Sequence, residues 1–154
     1  MPGKVNHIPE GYASLTAYFI VNGAARAIDW YKDIFGATEI MRMPGPDGKI
    51  AHAELRIGDS VIMLADENAQ MNHFGPQQGK RPPIAMMVYV PDVDATFNKA
   101  VAAGATVERA VQDQFYGDRS GGIVDPFGHR WYIATHVEDV TPEEMNKRMA
   151  AMAK

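Results

Sequence analysis

The stretch AARAIDWYKDIFGAT at residues 24–38 decides the fold, because a related pattern, VDATFNKAVAAGAT, recurs at residues 93–106. Both stretches carry apolar residues at helical spacing and both end in Gly-Ala-Thr. Glycine readily adopts the left-handed conformation that ends many helices, so the pattern predicts helices that stop at Gly36 and Gly104. The recurrence indicates an internally duplicated chain.

Strand patterns surround both predicted helices. An apolar run precedes each helix, at residues 16–21 and 84–90, and extended patterns with period-two alternation follow it. These later strands are predicted at residues 38–43, 50–57 and 61–65 in the first half, and at residues 107–112, 123–124 and 130–136 in the second. Each half therefore predicts the order strand, helix, strand, strand, strand, which places the chain in the α+β class.

Proline and glycine mark the boundary between the halves. Residues 67–83 are polar and contain two glycines and three prolines, which is typical of a connecting segment. We expect a single domain made of module 1 at about residues 12–66, this linker, and module 2 at about residues 84–137.

The C-terminal segment has a clear helix start. Thr141 offers an N-cap hydroxyl, Pro142 suits the first helical position, and Glu144 completes a capping box. A helix is therefore predicted at about residues 141–153. Its methionines at 145, 149 and 152 share one face, which favours packing on the parent sheet or on a dimer partner over a ligand-binding patch. A chiefly assembly-related role for this tail stays open.

Composition excludes several classes of protein. The 154 residues carry 15 Lys and Arg against 19 Asp and Glu, and they contain no cysteine. Without cysteine there is no disulfide scaffold, thiol nucleophile or Cys zinc site. The mild acidity and the lack of a basic stripe argue against nucleic acid and membrane partners. With no apolar run of bilayer length, we expect a cytoplasmic location.

Several short sequence motifs are similar to those of a known family. They are Pro44-Gly45-Pro46-Asp47-Gly48, His52-Ala53-Glu54-Leu55, Gly58-Asp59-Ser60-Val61, Gly117-Asp118-Arg119 and Asp125-Pro126-Phe127-Gly128-His129. Together with the duplication, they resemble the PhnB-like, or glyoxalase-like, branch of the vicinal oxygen chelate superfamily, over about residues 12–137. That superfamily includes glyoxalase I, extradiol dioxygenases, fosfomycin-modifying enzymes and bleomycin-binding proteins. The resemblance implies tandem βαβββ modules whose curved mixed sheets surround a cup, and a homodimer.

The resemblance also implies where a divalent metal would bind. Metal-dependent members use inward-facing His, Gln or Glu side chains on the first and last strands of each module. Those positions fall at Thr16, Met63, Ala85 and Tyr132. None of these residues supplies an imidazole or a carboxylate. We therefore expect the usual metal site to be missing and predict no cofactor.

Strand alternation indicates what would line the cup instead. It places Thr16 and Tyr18 on the same side as Met63, Met87, Tyr89 and Tyr132. Such a surface offers apolar bodies with hydroxyl tips, which suits a planar or amphipathic small molecule. The alternative is that these side chains only fill the core.

The candidate catalytic residues are His52 and Glu54. With Arg56 they occupy alternate positions of one predicted strand, so all three face the same side. The pair could act as a general base with an orienting acid, or join His136 in a relocated metal site. A solvated strand face with an intrastrand ion pair is the alternative.

Two loops carry further candidates. In residues 114–122, Tyr116, Arg119 and the glycines could contact an anionic group, although a tight connection with Asp118 paired to Arg119 is the simpler interpretation. In the linker, His73 could cover a pocket mouth, but an ordinary surface position is more common for such a residue.

These observations support two main hypotheses. The first is a metal-independent protein that binds a small molecule, such as an aromatic metabolite or an antibiotic. The second is a lyase, isomerase or dioxygenase that uses a relocated metal or proton transfer by His52.

Overall fold

The order strand, helix, strand, strand, strand is present in both halves of the chain. The computed structural model describes residue 3 and residues 5–153, and the chain divides after Lys80 into two compact units. The first unit contains β1 (Ala17–Val21), α1 (Ala24–Phe35), β2 (Thr38–Pro44), β3 (Ile50–Ile57) and β4 (Ser60–Asp66). The second contains β5 (Ala85–Tyr89), α2 (Val93–Ala102), β6 (Thr106–Asp113), β7 (Asp118–Val124), β8 (Arg130–His136) and α3 (Pro142–Met152). The α+β class and the C-terminal helix are thus confirmed.

The first unit is a four-stranded mixed sheet in the order β1-β4-β3-β2. The edge strand β1 runs parallel to β4, and the remaining neighbours are antiparallel. One face is buried beneath α1, where the rings of Phe19 and Tyr31 are in contact and Leu64 and Ile28 are fully buried. The register places Tyr18, which is paired with Met63, on the opposite face. That second face is the one that positions the candidate site.

The start of α1 is held by a side chain that is distant in sequence. Gly23 provides no cap, but Oδ1 of Asp66 accepts the backbone N–H groups of Gly23 and Ala24 at 2.9 and 2.8 Å. Oδ2 of Asp66 accepts the N–H of Ile50 at 2.7 Å. A negative group at a helix N-terminus satisfies free N–H groups and complements the helix dipole. The last residue of β4 therefore fixes the helix to the sheet.

The second unit repeats this arrangement in the order β5-β8-β7-β6, with β5 parallel to β8. Helix α2 begins at the N-cap Asp92 and ends at Ala102, one residue earlier than expected. Gly121 lies under this helix. A Cβ atom at Gly121 would be only 2.7 Å from the ring of Phe97, so glycine is what lets α2 approach β7 closely.

The turn at residues 125–129 is organised by one carboxylate. Asp125 accepts the N–H groups of Phe127 and His129, and its second oxygen accepts the indole N–H of Trp131 at 2.9 Å. The Asp-Pro-Phe-Gly-His segment therefore forms a turn, and its aspartate also holds Trp131 of β8 in place.

Helix α3 starts as predicted, because Thr141 Oγ1 accepts the N–H of Glu144. Arg148 links the helix to its unit through the Phe115 carbonyl and the Glu138 carboxylate. No residue of α3 is buried, and Met149 and Met152 are exposed.

Two expectations about local structure are wrong. Strand β1 begins at Ala17 rather than Thr16, and β7 runs straight through Gly121 and Gly122, which were expected to lie in a glycine-rich connection. The segment at residues 67–83 also contains a short 3-10 helix, Ala69–Met71, and a bridge between Asn68 and His73. Within residues 3 and 5–153, no helix has the length and apolar character needed to cross a membrane.

Candidate functional site

The exposed face of the first sheet brings polar and sulfur-containing side chains into adjacent rows. Glu54 on β3 is paired with Met63 on β4 and Met41 on β2, and His52 is paired with Met43. Because Met63 is also paired with Tyr18, one row of the sheet runs across all four strands. The register places Tyr18 and Met63 on one face, as strand alternation predicts, and it places His52 and Glu54 on that same face.

Four side chains on this face form a continuous chain of hydrogen bonds. The Tyr12 hydroxyl donates to Oε2 of Glu54, and Nε2 of His52 lies 3.0 Å from Oε1 of the same carboxylate. The Tyr18 hydroxyl lies 2.8 Å from Nδ1 of His52. Since a carboxylate only accepts, Nε2 of His52 carries a proton, which leaves Nδ1 to accept from Tyr18 whenever that nitrogen carries none. We call this set the tyrosine–histidine chain.

Burial and nearby charges shift the pKa values of the acidic groups in this chain. Glu54 is only 7% exposed, and the hydrogen bonds from His52 and then Tyr12 hold its pKa below the usual value, so it is ionised at neutral pH. The bond to Glu54 raises the pKa of Tyr12. Burial, followed by the nearby Glu54 charge, raises the pKa of Tyr18. Both phenols therefore stay protonated around a buried anion.

A cavity of about 330 Å³ opens beside Tyr18. Its walls come from the turn at residues 45–49 and from the segment at residues 65–73, which includes His73 and Met71. Asp47, in one wall, and Asn72, which lies between the lining residues Met71 and His73, both have a φ of 57°, a left-handed conformation that is uncommon for residues other than glycine. The volume is in the range of pockets that bind small molecules.

The second unit also presents residues on the sheet face opposite its helix. Met87 on β5, Tyr132 on β8, Gly122 on β7 and Arg109 on β6 form one row. Tyr89 lies on the same face and donates to Oδ2 of Asp118 at 2.7 Å. Met87, Tyr89 and Tyr132 thus share one face, as the alternation predicts, and Ala85 belongs to it too.

His136 lies in this second unit and is held by two carboxylates. Its Nδ1 is 2.8 Å from Asp118, and its Nε2 is 2.7 Å from Asp139. The bond to Asp139, and then that to Asp118, raises the pKa of His136 above 6.5. Both ring nitrogens are thus committed to partners within the unit.

The expected ion pair between Asp118 and Arg119 is wrong. As neighbours on β7 they point to opposite faces, and Arg119 pairs with Asp94 on α2 and with Asp113. Arg119 is therefore on the helix side, away from the face that carries Tyr89 and Tyr132. Tyr116 contacts the ring of Phe115. The hydrogen bond to Asp118 raises the pKa of Tyr89, and the nearby Tyr116 adds a smaller effect in the same direction.

Three residues of these surfaces were not foreseen. Tyr12 precedes the first strand and reaches Glu54 only through the tertiary fold. Arg109 and Arg130 lie near the ring of Tyr132, with guanidinium carbons 5.1 and 5.8 Å from its centroid. A sequence signal exists for Arg130, since it is two residues before Tyr132 on the same strand. Nothing local marks Tyr12 or Arg109.

Fold and surfaces together define the class. Tandem strand–helix–three-strand units with mixed sheets, each leaving one sheet face open, form the paired βαβββ architecture. The sequence-family model of the Glyoxalase/Bleomycin resistance protein/Dioxygenase superfamily matches residues 5–133, and the chain belongs to that superfamily.

Individual relatives agree with this assignment. An uncharacterized protein of Mycobacterium bovis is 42% identical over 141 residues, which is 90% of this chain and 93% of that protein. The crystal structure of TioX from Micromonospora sp. ML1 is similar with a TM-score of 0.62 and 26% identity, covering 84% of this chain and all of TioX. A PhnB protein from Bacillus cereus shares the fold with a TM-score of 0.65 and 15% identity, covering 80% and 99% of the two chains.

The metal that the superfamily implies does not fit the residues present. At the positions implied for ligands, Thr16 and Met63 offer a hydroxyl and a thioether, and Ala85 offers no donor atom. The Tyr132 phenol already accepts a hydrogen bond from Arg130. Divalent cations prefer imidazole and carboxylate donors. Within the described part of the chain, no three His, Cys, Asp or Glu side chains converge as metal ligands.

Proposed function

We propose that this protein binds a small aromatic molecule in the cavity beside Tyr18, and that binding requires no divalent metal. The observation that carries the proposal is the tyrosine–histidine chain, which ends at the cavity wall. Tyr18 belongs to that wall, and His52 orients its hydroxyl. The phenol therefore presents a fixed polar group to whatever enters.

The shape and chemistry of the cavity support an amphipathic ligand. Met71 and Ile50 contribute apolar surface, whereas Asp47, Lys49 and Asn68 contribute polar groups. Pockets of this kind bury the body of a ligand and orient it through a few polar contacts. A metabolite or an antibiotic with an aromatic ring and a hydroxyl group matches this lining.

The proposal is tested with 1-naphthol as probe on the full chain, after treatment with EDTA. Preferential binding to the folded state raises the melting temperature. We expect this rise without added metal, and no further rise with Zn²⁺ or Mn²⁺. Loss of one neutral hydrogen bond in Tyr18→Phe weakens binding by about three- to tenfold.

Tyr89→Phe is the matched control, since it makes the same change in the second unit and leaves the cavity intact. Equal affinity of wild type and Tyr18→Phe, an unchanged melting temperature, or a strict need for added metal would each overturn the proposal. Heteronuclear NMR spectra of both variants verify that the fold is retained.

A second candidate function, proton transfer, is favoured by the order of groups in the tyrosine–histidine chain. Tyr18 could take a proton from a carbon next to a substrate carbonyl while its own proton moves to Nδ1 of His52. The resulting imidazolium would be stabilised by Glu54. Because the pKa of Tyr18 is raised, the two transfers would have to occur together.

Deuterium exchange into hydroxyacetone, followed by proton NMR, tests this second function. We expect His52→Gln to slow exchange by about a hundredfold, because Tyr18 then has no basic group to accept its proton. His73→Gln, which alters the cavity wall but not the chain, is the control. Exchange at the same rate in wild type and His52→Gln would eliminate proton transfer without affecting the binding proposal.

A further inference from the structure

Arg109 differs from every other arginine of the second unit. Arg119 pairs with Asp94 and Asp113, Arg148 pairs with Glu138 and Glu144, and Arg81 and Arg130 share Glu108. Within residues 81–153, the polar partner recorded for Arg109 is the neutral Ser120 hydroxyl, 3.1 Å from Nη2. Arg109 is exposed, and a guanidinium has five N–H donors, so donors remain available to a ligand.

A flat surface is built next to this unpaired charge. Gly122 lies between Tyr132 and Arg109 in the row across β8, β7 and β6. A Cβ atom there would be 3.3 Å from the Tyr132 ring and 3.5 Å from Cβ of Arg109. Glycine thus lets the Tyr132 ring extend over β7 towards Arg109, whose guanidinium carbon is 5.1 Å from the ring centroid. Such a cation–π contact holds the guanidinium in place.

The position of the Tyr132 ring is fixed from its other end. Arg130, which is buried, donates from Nη2 to the Tyr132 hydroxyl at 3.2 Å. Its remaining donors bind Glu108 and the Pro82 carbonyl. Arg130 therefore positions the Tyr132 ring, and its own donors are bound to protein acceptors. Arg81 and Arg130 share the single carboxylate of Glu108, and the charge of Arg109 adds to this cationic excess on the strands around Tyr132.

We propose that Arg109 and Tyr132 form a binding site for an aromatic carboxylate. The carboxylate pairs with the two-pronged donor face of Arg109, a geometry that guanidinium matches better than ammonium does. The aromatic body lies against Tyr132 and Met87, which is 45% exposed and adjacent in the same row. This site lies wholly within the second unit and does not depend on the function proposed for the cavity beside Tyr18.

Three probes separate the two parts of the recognition. Benzoate has both ring and charge, acetate has the charge alone, and benzamide has the ring alone. NMR titration of the full chain, observed at the Tyr132 ring, should show benzoate binding more tightly than either of the others. Since the carboxylate contact is ionic and exposed, benzoate affinity should also fall as salt is added.

Variants assign the binding to Arg109. Loss of a charge-assisted contact in Arg109→Gln should weaken benzoate binding by about ten- to a hundredfold, and Arg109→Lys should recover only part of it. Arg119→Gln removes the same charge from the helix side of the same unit and should leave the affinity unchanged. Equal binding of benzoate and benzamide, full affinity in Arg109→Gln, or no shift of Tyr132 below about 10 mM benzoate would overturn the proposal.

Discussion

The side chains of His52 and Glu54, two residues apart on β3, are joined by a 3.0 Å contact between Nε2 and Oε1. Because Glu54 accepts the hydrogen bond from Nε2–H, the other ring nitrogen, Nδ1, faces the Tyr18 hydroxyl. The proton position on a histidine is commonly set in this way, by the partner of the nitrogen that does not act on the ligand. The chemistry available beside the cavity thus depends on a residue that does not line it.

The first prediction concerns this proton position. In wild type, nitrogen-15 NMR should show His52 as the Nε2–H tautomer, because only a donor suits Glu54. In Glu54→Gln, whose amide can either donate or accept, we expect a mixture of both tautomers. His7, which is exposed, serves as the internal control and should not change. A mixed tautomer in wild type would contradict the hydrogen-bond assignment.

The second prediction concerns acid stability. The folded state holds the pKa of Glu54 below 4.5, so the ionised carboxylate stabilises the fold above pH 4.5. That contribution is lost as the pH falls through the folded pKa. Urea unfolding should show wild type more stable than Glu54→Gln near neutral pH, with the difference shrinking in acid. A difference independent of pH would show that the charge of Glu54 plays no part.

The third prediction concerns His136, whose contribution to stability changes with pH in the opposite direction to that of Glu54. The folded state raises the pKa of His136 above 6.5, so its charged form stabilises the fold fully below pH 6.5. The contribution disappears as the pH rises through the folded pKa. We expect wild type to exceed His136→Gln in unfolding free energy at pH 6 and to approach it at higher pH. High salt should reduce the difference, because His136 is half-exposed.

The fourth prediction compares two glycines with positive φ. A Cβ atom at Gly117 would lie 2.1 Å from the carbonyl oxygen of Glu138, whereas nothing lies within 4 Å of one at Gly36. Gly36→Ala should therefore cost about 1 kcal/mol, from backbone strain alone. Gly117→Ala should cost about 3 kcal/mol or more, because the clash is with backbone that must move. Equal melting temperatures for the two variants would refute this account.

The helices could be predicted because their signals are local. Helix α1 spans the residues expected from apolar spacing and Gly36, and α3 begins at the predicted Thr141 cap. The shared face of Tyr18, Met63, His52 and Glu54 follows from strand alternation, given the right pairing. The alternation on β7 also separates Asp118 from Arg119, and applying it there would have prevented the mistaken ion pair.

The cavity, the contact of Tyr12 with Glu54 and the contact of Arg109 with Tyr132 could not be predicted from local patterns. The cavity exists because residues 45–49 and 65–73 approach each other, and its walls include turns whose conformations have no periodic pattern. Tyr12 reaches Glu54 across 42 positions of sequence. Arg109 becomes distinctive only when the partners of the other four arginines of the second unit are known. Such facts belong to tertiary structure rather than to any local pattern.

The pairing of β1 with β4, and of β5 with β8, makes each sheet complete within its own half of the chain. The first and last strands of each repeat are hydrogen-bonded neighbours, so a substitution on one open face leaves the backbone ladder of the other repeat intact. The side chains of the two open faces can therefore be exchanged independently, one half at a time.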